Sequence, residues 1–140
     1  MTEVKSYEQQ NIRLLAVKAL SDINRNGAYA NIKLQEYLQK YHLSDLDRRF
    51  FTELVYGVIR RKNYLDAIII HFPKRPLKKL SSMFVEILRL GIYQIIYMDK
   101  VPESAAVNES VKLAKKLTRG LSGCVNAVLR SVLRESDSIS

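Results

Sequence analysis

Cysteine and histidine are scarce in this sequence, which contains only Cys124, His42 and His71. A single cysteine cannot form an intramolecular disulfide, and it excludes a cysteine metal cluster such as a zinc finger. The sequence also has no Gly-rich phosphate loop and no pair of histidines at metal-ligand spacing. These absences leave few ways to build a catalytic centre, and they favour a reducing compartment.

Glycine, proline and long apolar runs are few as well. The 140 residues include five glycines and three prolines, with 47% hydrophobic and 26% charged residues, which excludes collagen-like and disordered chains. The longest uncharged apolar run, Leu90 to Met98, is far shorter than the roughly 20 residues that a bilayer span needs. We therefore expect a soluble, cytoplasmic protein with one compact domain.

Apolar residues recur every three or four positions along the chain, which predicts an all-α fold of six or seven helices. The first helix is predicted over residues 8 to 26. Ser44 is predicted to cap a later helix. The buried stripe of that helix is predicted to comprise Leu46, Phe50, Leu54, Val58 and Ile59.

Pro73 and Pro76 interrupt the helical pattern, because proline lacks the amide donor that a helix interior needs. They mark the clearest break within the predicted domain. The domain itself is predicted over residues 1 to 135, and the polar residues 136 to 140 are predicted to be a disordered tail or the start of a linker.

Positive charge is present in excess and is unevenly distributed. The chain has 23 Lys and Arg against 14 Asp and Glu, a formal net charge of +9. Residues 1 to 47 are neutral overall, so the whole excess follows Asp47. A basic surface of this kind favours a polyanionic partner such as a nucleic acid.

Several basic clusters are candidates for phosphate contact. Lys112, Lys115, Lys116 and Arg119 have the spacing of a single helix face, and this face is equally compatible with RNA contact and with simple solvation. Arg60, Arg61 and Lys62 fall at a helix end, where they would also suit the helix dipole. The remaining clusters comprise Arg48 with Arg49, and Lys74 and Arg75 with Lys78 and Lys79.

Other side chains with chemical potential have simpler interpretations. Cys124 lies beside an apolar stripe without a neighbouring histidine to activate it, so we expect a small buried hydrophobe rather than a nucleophile. His71 is expected at a helix end, partly buried, rather than in a metal site. Phe50, Phe84 and Tyr93 fall on helical stripes, which favours core packing over base stacking.

Four ordered blocks of sequence resemble the NusB-like family. They are DRRFFTELVYGVIR from Asp47, LRLGIYQI from Leu88, VPESAAVNESV from Val101 and VNAVLR from Val125. The similarity covers almost the whole chain, from Asn11 to Arg134. Within the family, the blocks look more like the amino-terminal domain of the RsmB (Sun/Fmu) type of small-subunit rRNA cytosine-C5 methyltransferase than like free-standing NusB.

The resemblance implies two packed helical subdomains, with their junction near Pro73 and Pro76, and an RNA-binding role. It also implies that S-adenosylmethionine and the catalytic cysteines belong to a domain absent from this chain. This chain itself is then expected to bind no cofactor and no metal. The expected partners are small-subunit rRNA and that catalytic domain. Gly57 and Gly91 are expected to allow close helix approach, and Asn108 and Asn126 are expected to satisfy buried backbone groups or one another.

The resemblance assigns RNA contact to the basic clusters and adds one residue near the first helix, Arg13. The proposed contact residues are therefore Arg13, Arg48, Arg60, Arg61, Lys62, Lys112, Lys115, Lys116 and Arg119. Two alternatives stay open. One is a free-standing NusB-type transcription antitermination factor that acts with the ribosomal protein NusE. The other is a helical protein-interaction module whose charge serves solubility.

Overall fold

The computed structural model describes residues 11–26, 29–72 and 81–139. All regular structure in these residues is helical, which confirms the predicted all-α class and gives seven helices in the described part of the chain. The helices are α1 (Ile12–Asn26), α2 (Ala30–Lys40), α3 (Asp45–Arg60), α4 (Lys62–Ile70), α5 (Ser82–Tyr97), α6 (Glu103–Leu117) and α7 (Ser122–Ile139). None of them is long and apolar enough to cross a membrane.

The chain divides into two compact units, Met1–Ile59 and Arg60–Ser140. The predicted junction near Pro73 and Pro76 was therefore wrong, and both prolines lie outside the described residues. The division falls between Ile59 and Arg60, at the end of α3 and just before Arg61, which forms the turn to α4 with φ −104° and ψ 14°. The sequence carries no signal for this break, because neither proline nor glycine marks it.

The first unit buries one face of α1 against α2. Leu15, Ala16, Leu20 and Leu34 are almost fully buried. The hydroxyl of Tyr37 donates a hydrogen bond to Asp22 Oδ2 at 2.9 Å, which joins the two helices. Burial is the main cause that raises the pKa of Tyr37, and the hydrogen bond to Asp22 adds to it.

Ser44 caps α3 as predicted, because its Oγ accepts a hydrogen bond from the backbone N–H of Asp47 at 3.1 Å. The predicted buried stripe is only partly correct. Leu54 and Val58 are buried, but Leu46 is 71% exposed. Leu46 lies in the first turn of α3, and the buried part of the helix begins only at Phe51.

The second unit is built around α5, which is buried from Phe84 through Gln94. The buried stretch includes a charged residue, Arg89. Arg89 Nε and a terminal guanidinium nitrogen donate to the two carboxylate oxygens of Asp66 at 2.6 and 2.9 Å. The other terminal nitrogen donates to Glu86 at 2.7 Å. These bonds connect α4 to α5.

Gly91 allows the close helix approach that the sequence predicts. A Cβ atom at this position would lie 2.8 Å from Leu129 Cδ1 and 2.9 Å from Ser110 Oγ, so α5 touches both α6 and α7 there.

The prediction that Asn108 and Asn126 satisfy buried polar groups was wrong. Asn108 is exposed, and Asn126 accepts a hydrogen bond from Arg130 at 2.9 Å on the surface.

The last helix, α7, extends to Ile139. Residues 136 to 139 are therefore helical, although the sequence predicts a tail or linker from residue 136. The domain boundary itself stays a prediction. The first helix begins at Ile12. It was predicted from residue 8, and residues 8 to 10 lie outside the described part of the chain.

Candidate nucleic-acid interface

One basic cluster lies where α3 meets α4. Arg60 is the last residue of α3, Lys62 is the first of α4, and Arg61 forms the turn between them. Arg60 and Arg61 are exposed, whereas Lys62 is half-buried. The Arg61 guanidinium carbon lies 4.8 Å from the centre of the Tyr97 ring. This cation–π contact orients Arg61 beside the end of α5 while leaving the residue accessible to an anion.

A second basic cluster follows the outer face of α6. Lys112, Lys115 and Lys116 are exposed, and the buried residues Val107 and Ala114 face the opposite way. Lys112 Nζ lies 3.4 Å from Glu109 Oε2, but the Lys112 side chain remains 71% exposed. We call Lys112, Lys115 and Lys116 the α6 lysine face.

Arg119 does not belong to the α6 lysine face, contrary to the sequence prediction. The helix ends at Leu117, and Thr118 closes it by donating its hydroxyl to the carbonyl of Ala114 at 2.6 Å. Arg119 lies beyond this end and is exposed. The next residue, Gly120, has a positive φ of 69°, so the chain turns sharply towards α7.

The two clusters lie at different levels along the second unit. Only Met98–Pro102 connects α5 to α6, and Gly91 meets Ser110, so the two helices run antiparallel. Tyr97 lies six residues after Gly91, towards the connecting turn. Lys116 lies six residues after Ser110, in the direction away from that turn. At 1.5 Å per residue, Arg61 beside Tyr97 and Lys116 are about 18 Å apart along the helix axes.

In the first unit the predicted contact residues differ in accessibility. The Arg13 guanidinium lies 5.1 Å from the Phe50 ring centre, and the residue is half-buried. Arg48 and Arg49 are exposed in the early part of α3. A cation there gains nothing from the helix dipole, which favours anions at this end. Arg48 and Arg49 are thus available to a polyanion.

Sequence reasoning omitted two further basic residues, Arg130 and Arg134. Both are exposed on α7 and lie one turn apart. Arg130 donates to Asn126, and Arg134 donates to Ser131 at 2.9 Å. Their four-residue spacing is the signal that could have identified them. Lys74, Arg75, Lys78 and Lys79 lie outside the described residues.

The described residues present little other chemistry. Cys124 is free and half-buried, so the prediction of a buried residue was only partly correct. His71 closes α4 as predicted, but it is exposed rather than partly buried. In the described part of the chain, no group of three or more His, Cys, Asp or Glu side chains could hold a metal ion.

Comparison with known proteins gives one family and two kinds of relative. The model of the NusB family matches residues 10–134. The "Probable ribosomal RNA small subunit methyltransferase B" of Synechocystis sp. is 47% identical over 126 residues, which are 89% of this chain. The chain spans only 28% of the length of that relative.

The second kind of relative is shorter. The transcription antitermination protein NusB of Shewanella baltica is 33% identical over 112 residues, which are 80% of this chain and 84% of that protein. Among solved structures, NusB of T. maritima matches with a TM-score of 0.79 over 89% of both chains. The sequence identity is 24%, so this likeness shows the fold alone.

Proposed function

The chain belongs to the NusB family, and from that premise we propose that it is the RNA-binding amino-terminal domain of a small-subunit rRNA cytosine-C5 methyltransferase. One observation carries the proposal. The Synechocystis methyltransferase is 47% identical to this chain over 126 residues, whereas the Shewanella NusB is 33% identical over 112. The cytoplasm is the expected location of such a protein.

In this proposal the chain positions rRNA and performs no chemistry. Phosphate contacts fix the register of the RNA, and a second domain flips the target base and methylates it. The residues of this chain do not fit S-adenosylmethionine, because the described part forms only helices and so lacks the sheet of a Rossmann-like domain, at whose strand ends such a ligand binds. We therefore place the methyl donor and the catalytic cysteines in the domain outside this chain.

The proposed contacts to rRNA are Arg13, Arg48, Arg60, Arg61, Lys62, Lys112, Lys115, Lys116 and Arg119. Exposure supports all of them except Arg13 and Lys62, which are half-buried. The two clusters of the second unit are about 18 Å apart along the helix axes, a distance over which a nucleic-acid helix presents several phosphates.

The apparent mass of the native protein tests the proposal directly. An antibody raised against this chain should detect a band several times heavier than 16.2 kDa in a lysate of the source cells. A band near 16.2 kDa would contradict the proposal, because no catalytic domain would then be attached.

A second candidate is a free-standing NusB-type antitermination factor. It is favoured by the extent of the match to the Shewanella protein, of which this chain covers 84%. Co-purification with the ribosomal protein NusE, together with a native band near 16.2 kDa, would select this function instead.

A further inference from the structure

Arg61 and Tyr97 bring a planar cation and an aromatic ring together in the second unit. The guanidinium carbon of Arg61 lies 4.8 Å from the centre of the Tyr97 ring, which is within the roughly 6 Å of a cation–π contact. Arg61 directly precedes α4, and Tyr97 is the last residue of α5. The two side chains thus meet where one helix begins and another ends, and Arg61 is exposed there.

The ring of Tyr97 is supported from within the same unit. Tyr93 lies one turn earlier on α5 and is only 3% exposed. The two ring centres are 5.2 Å apart, and the angle between the ring planes is 30°. Because a buried ring packs against it, the half-buried Tyr97 is a fixed surface for the guanidinium of Arg61.

The charge of Arg61 has no counter-ion in the described part of the chain. The ion pairs found there involve Lys33, Arg89 and Lys112, and Arg61 takes part in none of them. An aromatic ring attracts a cation without neutralising it. The guanidinium of Arg61 therefore keeps its positive charge and its N–H donors for an external partner.

We propose that Arg61 and Tyr97 form a stacking platform for an unpaired base of the rRNA, and this inference rests on the proposed function. Unstacked RNA bases stack on the planes of arginine side chains as well as on aromatic rings. With Tyr97 behind it, Arg61 offers such a plane to a base and offers its N–H donors to the adjoining phosphate. A lysine at this position would supply the charge alone.

The stacking platform favours single-stranded over paired rRNA. Bases inside a duplex are already stacked on both faces, so they reach a protein side chain only after being pulled out of the helix. Bases of an unpaired segment avoid this cost. An unpaired segment also suits the proposed reaction, because a target base outside a duplex costs least to place in the active site of a second domain.

Conservative substitutions separate stacking from charge. Arg61→Lys keeps the positive charge and removes the plane. Arg60→Lys is the matched control, because Arg60 is an exposed neighbour without a cation–π contact among the described residues. Fluorescence anisotropy gives the affinity of the 140-residue chain for two probes. One is a labelled RNA strand of about 12 nucleotides without self-complementarity, and the other is the duplex that it forms with its complement.

Arg61→Lys should weaken binding of the single strand about fivefold or more, because stacking of one base contributes at least that much, and should weaken binding of the duplex less than about twofold. Arg60→Lys should change both affinities less than about twofold. Tyr97→Leu should also weaken binding of the single strand, whereas Tyr97→Phe keeps the ring and should bind it as the wild type does. Thermal unfolding checks that the Tyr97 variants are folded, and the Arg61→Lys result does not depend on them.

Equal affinities of Arg61→Lys and the wild type for the single strand would overturn the inference. Equal losses for the strand and the duplex would also overturn it, since Arg61 would then contact phosphate alone. Failure of the proposed function is read on the wild type. A wild-type chain that binds neither probe would contradict RNA binding itself, and a native band near 16.2 kDa would contradict the link to a methyltransferase.

Discussion

The neighbouring helices α5 and α6 hold their basic residues in opposite environments. Arg89 on α5 is 7% exposed and is bound by Asp66 and Glu86. Lys112, Lys115 and Lys116 on α6 are exposed, and only Lys112 has a carboxylate beside it, Glu109. On these two helices, the lysines of α6 are therefore available to an external anion, whereas Arg89 is not.

The pKa of Arg89 reflects the same balance. Burial by itself lowers the pKa of this guanidinium, but the hydrogen bonds and charges of Asp66 and Glu86 more than offset it, so that the pKa is raised. Arg89 stays charged, and the carboxylates of Asp66 and Glu86 in the same unit balance its charge. It contributes to the packing of α4 on α5, whereas the α6 lysine face contributes to the surface potential.

Removing Arg89 should have the largest effect. Arg89→Ala leaves the carboxylates of Asp66 and Glu86 without their shared cation, and the loss of one partner from a buried ion pair typically costs about 3–5 kcal/mol. The free energy of unfolding, measured by urea denaturation, should fall by about this amount. Arg130→Ala, which removes an exposed arginine, is the control and should change it by less than about 0.5 kcal/mol. Similar values for both variants would show that Arg89 is not a structural charge.

The Gly91 contact should have the next largest effect. Gly91→Ala places a methyl group 2.8 Å from Leu129 Cδ1, and such overpacking costs about 1–3 kcal/mol. Gly123→Ala is matched to it, because Gly123 is also helical but has open space around its Cβ position. That control should be neutral or stabilising by up to about 1 kcal/mol. A neutral Gly91→Ala in thermal unfolding would contradict the close approach of the helices.

The α6 lysine face should control RNA affinity and leave the fold intact. Changing Lys112, Lys115 and Lys116 together to Gln should reduce the slope of log K against log salt by about 2–3, since each phosphate contact contributes roughly 0.7–0.9. Fluorescence anisotropy with a labelled small-subunit rRNA fragment gives the slope. The control changes three other exposed lysines, Lys18, Lys40 and Lys100, to Gln.

An equal loss of slope in both triple variants would remove the α6 lysine face from the proposal. Equal, weak binding of the wild-type protein to any polyanion would instead favour the protein-interaction module. The helix dipole offers a further check, because Lys115 and Lys116 lie in the last turn of α6. If they served only the helix, the α6 triple variant would lose stability and keep its RNA affinity.

Tyr37 should have the smallest effect, and it should depend on pH. Tyr37→Phe removes the hydrogen bond to Asp22, which is worth about 1 kcal/mol at neutral pH. Because the folded-state pKa of Tyr37 is raised, this stabilisation is complete below the unfolded-state value of about 10 and is lost as the pH rises further. The difference in unfolding free energy between wild type and Tyr37→Phe should therefore shrink above pH 10. A constant difference across this range would contradict the shift.

Local patterns in the sequence predicted much of the fold. Helical periodicity predicted the all-α class, Ser44 predicted a helix cap, and Gly91 predicted a close approach between helices. The patterns failed where tertiary contacts decide. Leu46 matches the apolar spacing but lies ahead of the buried part of α3, and the division between Ile59 and Arg60 has no proline or glycine at it.

The candidate interface was predicted with less accuracy, because periodicity assumes that a helix continues. The spacing of Arg119 matches the α6 lysine face, yet Thr118 ends the helix before it. The position of Arg61 beside Tyr97 depends on how α4 packs against α5, which no local pattern encodes.

The most direct test of the RNA-binding account is an NMR titration of the ¹⁵N-labelled 140-residue chain with a small-subunit rRNA fragment. We predict that amide signals of residues 60–62 and 112–119 shift together, and that both sets return as salt is added. The signals of α2, which contains none of the proposed contact residues, should stay unchanged. Shifts confined to α2, or no shifts in the basic clusters, would contradict the account.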